Sequence, residues 1–71
     1  MKLTLILDAD PAGVCASLVE EWDGPGGAVR MAPLVRVFEV EEEAFDWGRT
    51  LARRRGVARL YLTDNRKSAR R

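Results

Sequence analysis

Seventy-one residues with a formal net charge of +1 make one small domain, with no room for a second core. Cys15 is the sole cysteine, histidine is absent and no cluster of metal ligands occurs. That excludes a disulfide scaffold, a zinc-built fold and histidine-based proton transfer. The near-neutral total conceals a split: residues 1–48 hold ten acidic groups against Lys2, Arg30 and Arg36, while residues 49–71 hold nine basic groups against Asp64.

A chain this short sits near the lower limit of independent stability, so self-association is a natural way to bury more apolar surface. A single thiol suits a reducing cytoplasm. The apolar run Leu3–Leu7 is too short for a membrane span or a signal-peptide core, so a cytoplasmic chain without membrane contact is expected. Glutamine is absent, Asn65 is the only asparagine, and arginine outnumbers lysine ten to two. Such usage fits a thermophile, and a GC-rich genome would also favour arginine.

In chain order, KLTLILD (2–8) reads as a strand with Leu3, Leu5 and Leu7 on one face. DADPAGVCASLVEEW (8–22) admits two readings. As a helix, Asp10 caps, Pro11 takes the first position, and Val14, Leu18 and Trp22 share a face. Against it, Gly13 falls in the first turn and Glu20, Glu21 and Asp23 crowd the C-terminal end, where the dipole repels them. As a hairpin, Pro11 sets the turn and Gly13 takes the positive φ of a three-residue loop with a bulge. Val14, Ala16, Leu18 and Trp22 then face the core, Ser17 and Glu21 face out, and Glu20 falls on the inner side. The hairpin is preferred.

The stretch Asp23–Gly27 reads as a flexible loop, and LVRVFEV (34–40) as a strand that Pro33 places at a sheet edge or strand start. A helix is predicted over 41–55. Ala44, Trp47, Gly48, Leu51 and Ala52 share a face, Glu41–Glu43 and Arg53–Arg55 each oppose the dipole, and Gly56 stands at the C-cap. Gly48 on the apolar face implies close approach to a sheet. VARLYLT (57–63) reads as a final strand, with Ala58, Leu60 and Leu62 on one side and Arg59, Tyr61 and Thr63 on the other. The domain is therefore expected to span residues 1–64, with a flexible basic tail over 65–71.

The expected fold class is α+β: a small antiparallel sheet of three or four strands, order ββ(β)αβ, with helix 41–55 on one face. If residues 12–22 were helical, the order would become βαββαβ and a ferredoxin-like fold would follow. Glu43-Ala44, Gly48-Arg49, Leu51-Ala52, Gly56, Ala58 and Leu60 in the run FEVEEEAFDWGRTLARRRGVARLYLTDNR resemble the C-terminal half of a family of short bacterial proteins of unknown function. The Asp-Pro-x-Gly turn and the E-E-A helix start are similar in outline to HicB-like antitoxin domains. The resemblance implies a ββ(β)αβ sandwich and, for HicB-like domains, an antitoxin role. Val40 stands where those families often place a threonine cap, and the loop DGPGGAVRMAP departs from their pattern.

Asp8 and Asp10 at a strand end are the carboxylate spacing of some Mg²⁺ phosphotransfer sites, and DADPAGVCAS looks like the aspartate motif of DHH-type phosphoesterases. Those enzymes need further aspartates and histidines, so a polar turn is the reading adopted. Cys15 lacks a nearby cation or histidine to activate it, and Ser17 and Ser68 lack a base. The glycines of Gly24–Gly27 precede a strand instead of a helix, which is not a phosphate loop. Neither catalysis nor a cofactor is expected.

Two surfaces remain. Arg53, Arg54, Arg55, Arg59, Arg66, Lys67, Arg70 and Arg71, with Tyr61 among them, form a candidate contact for nucleic acid or for an acidic partner. The blander account has Arg53–Arg55 complementing the helix end and Arg59 pairing with an acidic neighbouring strand. Phe45, off the main helical stripe, is a candidate interface beside an exposed sheet edge. The expected function is a non-enzymatic module that binds a protein partner, antitoxin-like or regulatory, and self-associates. A small nucleic-acid-binding protein is the alternative.

Overall fold

The computed structural model describes residues 1–66. Its order is β1 (Lys2–Asp10), β2 (Gly13–Gly24), β3 (Gly27–Arg30), β4 (Leu34–Phe38), α1 (Glu41–Arg54) and β5 (Leu60–Asp64). The class is α+β, as expected: one five-stranded sheet and one helix.

Residues 12–22 are extended. β1 and β2 pair antiparallel without interruption from Lys2↔Glu21 to Asp10↔Gly13, so the hairpin reading holds. Pro11 and Ala12 alone form the loop, which is one residue tighter than the bulged turn expected. Asp10 closes it by accepting the Ala12 backbone N–H at 2.9 Å. Gly13, at φ 140°, is required twice: a Cβ there would lie 2.3 Å from the Phe38 carbonyl oxygen and 2.7 Å from that of Glu39.

Two features of the sheet differ from expectation. It is mixed, because β5 pairs parallel to β1, Leu3↔Leu60 through Leu7↔Asp64. β4 also runs parallel to β1, being antiparallel to β2. A helix returning across the sheet delivers the chain to the end where β4 began, so β4–α1–β5 is a crossover, not a meander. The predicted loop at 23–27 is instead a tight turn, Gly24↔Gly27, that leads into β3. Pro25 and Gly26 take its two central positions.

β3 and β4 lie end to end along the same edge of β2. β3 pairs Glu21↔Arg30 through Gly24↔Gly27, and β4 pairs Val14↔Phe38 through Leu18↔Leu34. Met31, Ala32 and Pro33 span the Val19–Glu20 stretch between them, one residue too many for a continuous ladder. This is a β-bulge, with Met31 N–H still donating to the Glu20 carbonyl at 2.9 Å. Pro33, which has no N–H to give, falls in the interruption.

The core lies between the sheet and α1. Leu3, Leu5, Leu7, Val14, Ala16 and Leu18 from the sheet, with Ala44 and Ala52 from the helix, are buried. Each fully buried leucine contributes about 1.5–3 kcal/mol. Helix residues on that face are small because the sheet comes close: a Cβ on Gly48 would lie 3.0 Å from Leu5 Cδ2. Trp47 packs beside Phe38 with ring centroids 5.6 Å apart. Trp22, expected in the core, is 47 % exposed, because β2 carries it past the end of the helix.

α1 starts at Glu41, where Val40 as the N-cap residue supplies no side-chain cap, and it ends one residue earlier than predicted. Its end is a Schellman motif. Gly56, φ 70°, donates to the Arg53 carbonyl at 3.1 Å, and Val57 donates to that of Ala52 at 2.9 Å. The closing strand is also shorter than predicted, since Val57–Arg59 form the link into it.

Candidate functional site

A sheet four columns wide spans about 14 Å between its outer strands, and one helix is about 10 Å across. The helix therefore covers the middle and leaves both flanks and the whole opposite face open. Three surfaces follow from that mismatch.

The face away from the helix is built by alternation. Thr4 and Ile6 from β1, Cys15, Ser17 and Val19 from β2, and Val35 and Val37 from β4 share it, by the registers Ile6↔Ser17, Ser17↔Val35 and Cys15↔Val37. Val35 is 56 % and Val37 48 % exposed, while the residues of β1 and β2 are half-buried by their neighbours. Among the described residues no strand pairs with the outer edge of β3 and β4, and Val29, Met31 and Leu34 are exposed along it. Cys15 is a free, half-buried thiol within this face.

A groove of about 570 Å³ runs between α1 and β5, floored by Leu5, Leu60 and Leu62 and bordered by Phe45. Arg49 stands over the Phe45 ring at 5.9 Å and pairs with Asp46 at 2.7 Å. The candidate interface residue Phe45 is thus half-buried and packed against the core, at the rim of an apolar groove.

The third surface is a cleft of about 510 Å³ where β1 begins, β2 overshoots the helix and the chain enters β5. Lys2, Trp22, Arg55, Arg59 and Tyr61 line it. Lys2 Nζ lies 4.8 Å and the Arg59 guanidinium 6.0 Å from the Tyr61 ring centre. Arg55 donates to Glu20 Oε2, and the Trp22 indole N–H reaches Glu20 Oε1 at 3.3 Å.

The basic candidates are thereby separated. Arg55, Arg59 and Tyr61 come together at this cleft. Arg59 rests on Tyr61 and makes no ion pair with a neighbouring strand among the described residues. Arg53 and Arg54 are exposed on the last helical turn. Arg66 is held elsewhere, by Asp64 at 2.8 Å and Glu41 at 3.0 Å. Its hydrogen bonds to Asp64, opposed by desolvation and reinforced by Glu41, raise its pKa further above the usual arginine value. Asn65 N–H donates to the Leu7 carbonyl at 2.8 Å, and its side chain to Asp8 at 3.1 Å. Lys67, Arg70 and Arg71 lie outside the described residues.

Lys2, Val35 and Val37 were not singled out in the sequence. Lys2 reaches Tyr61 only because β5 pairs with β1, and the valines gain their outward aim from the bulge. The one signal available was the alternation in LVRVF. Asp8 and Asp10 accept hydrogen bonds from Asn65 and Ala12 respectively. No group of three or more potential metal ligands is found among the described residues. No helix among them is long and apolar enough to cross a membrane.

The fold and these surfaces define the class of the protein as a small α+β domain with a mixed sheet and one helix. No protein-family model, curated protein or solved structure matches this chain.

Proposed function

We propose that this chain is a non-enzymatic interaction module, antitoxin-like or regulatory in role, whose first protein partner is a second copy of itself. The observation that carries the reading is a sheet face and edge that no described residue covers, with Val35 and Val37 about half exposed. Monomeric proteins usually blunt such edges with charge, and Arg36 is the only charged residue within β4.

Antiparallel pairing of two β4 edges extends the sheet through both copies. A register centred on Val37 sets Arg36 of each copy against Phe38 of the other. A register centred on Arg36 would oppose two guanidiniums and is disfavoured. The apolar strip on the open face then continues across the junction.

Size-exclusion chromatography with light scattering tests this. The expected result is a dimer that Val37→Lys converts to a monomer with an unchanged circular-dichroism spectrum. Hydrogen exchange at the amides of 34–38 should slow as protein concentration rises. A clean monomer at high concentration, with exchange independent of concentration, overturns the reading.

A further inference from the structure

We propose that the cleft between Trp22 and Tyr61 binds a single strand of nucleic acid. The proposal is independent of the dimer reading and goes beyond it, since the cleft shares no residue with the β4 edge.

Single-strand recognition needs two things side by side: flat aromatic faces on which bases stack, and cations spaced to meet phosphates. Trp22 is 47 % and Tyr61 42 % exposed, high values for the large aromatic residues of so small a domain. They reach the same cleft from opposite faces of the sheet, at the end the helix leaves bare. Lys2, Arg55 and Arg59 are the cations of its lining. An exposed cation resting on a ring is weakly held compared with a base stacked there. Lys2 and Arg59 can therefore leave Tyr61 for a phosphate while a base takes the ring.

The chemistry also excludes alternatives within the site. A duplex hides its base faces, and this cleft offers no protruding helix or ribbon for a groove. At the end of α1 the carbonyls of Leu51, Ala52 and Arg53 are occupied by the N–H groups of Arg55, Val57 and Gly56, which reduces the repulsion an incoming phosphate meets there. Among the described residues Glu20 is the one carboxylate bonded to cleft residues, and it holds both Arg55 and the Trp22 indole. Glu21, cross-strand from Lys2, is engaged by Arg30 at 3.8 Å, and Asp23 lies beyond it along β2. The strand would run along the Arg55–Arg59 wall, away from these acids.

Fluorescence anisotropy of a labelled single-stranded 12-mer, with its duplex and polyglutamate as competitors, provides the test. The full chain should bind the single strand at low salt. Log affinity should fall against log salt with a slope of about −2, the value for three phosphate contacts on a single strand. Tyr61→Ala should weaken binding about tenfold or more, and Arg59→Glu should weaken it more than Arg54→Glu does. Glu20→Gln, which releases Arg55, should strengthen binding, an effect that loss of structure would not produce. Val37→Lys should leave the affinity of the cleft intact. Absence of binding at low salt overturns the proposal. So does equal loss from Arg54→Glu and Arg59→Glu, or competition by polyglutamate or duplex as strong as by the single strand.

Discussion

The two faces of the sheet share the same strands and differ completely in environment. Toward α1, Leu3, Leu5, Leu7 and Ala16 are fully buried, and Val14 and Leu18 nearly so. On the other side, Ile6, Ser17 and Val19 are half-buried by their neighbours alone, and Val35 and Val37 stand about half exposed. A single helix of small-residue face saturates the central columns and nothing more. The buried core therefore lies on one side of the sheet, and exposed apolar surface on the other side and at the flanks.

Substitutions can break that division of labour. Leu5→Ala should cost the most, about 2–5 kcal/mol by urea denaturation, because it opens a cavity beneath Gly48. Gly13→Ala should cost about 1–3 kcal/mol through its positive φ and its clash with the backbone at Phe38 and Glu39. Faster hydrogen exchange confined to β4 would mark the second effect. A loss spread evenly over the sheet would contradict it.

Smaller changes sharpen the comparison. Glu20→Gln removes the partner of Arg55 at the end of the helix and should lower stability by about 1 kcal/mol or less. The same change is expected to tighten the cleft on a nucleic-acid strand, so its two effects have opposite signs. Val35→Thr, on the open face, should alter monomer stability by no more than about 0.5 kcal/mol. It should nonetheless weaken self-association, measured by sedimentation. A stability loss as large as that of Leu5→Ala would mean that the open face is core after all.

Much of the helix and both central strands was legible. The 3.6-residue spacing from Ala44 to Ala52, the charge pattern along the helix and Gly56 after it are local signals, and each acts within a few residues. Asp10-Pro11-Ala12-Gly13 marked a reversal for the same reason. β3 was not legible, because Gly27–Arg30 contains one large apolar residue and no alternation. The site at Tyr61 was legible in part: Arg55, Arg59 and Tyr61 stand out in the basic run, whereas Lys2 from β1 and Trp22 from the end of β2 join them only through strand pairing, and no sequence spacing relates those two to the rest.

By itself the sequence determined the extended character of β1, β4 and β5, the helix α1 and which face of β1 and of α1 is apolar, and it favoured the extended reading of β2, since these follow from short-range sterics and periodicity. Only the tertiary structure decided that β5 runs parallel beside β1, that Trp22 lies beyond the helix, and that Val35 and Val37 look outward. The last point turns on one extra residue between Arg30 and Leu34. In a strand with a period of two, a shift of one residue exchanges the two faces of everything that follows.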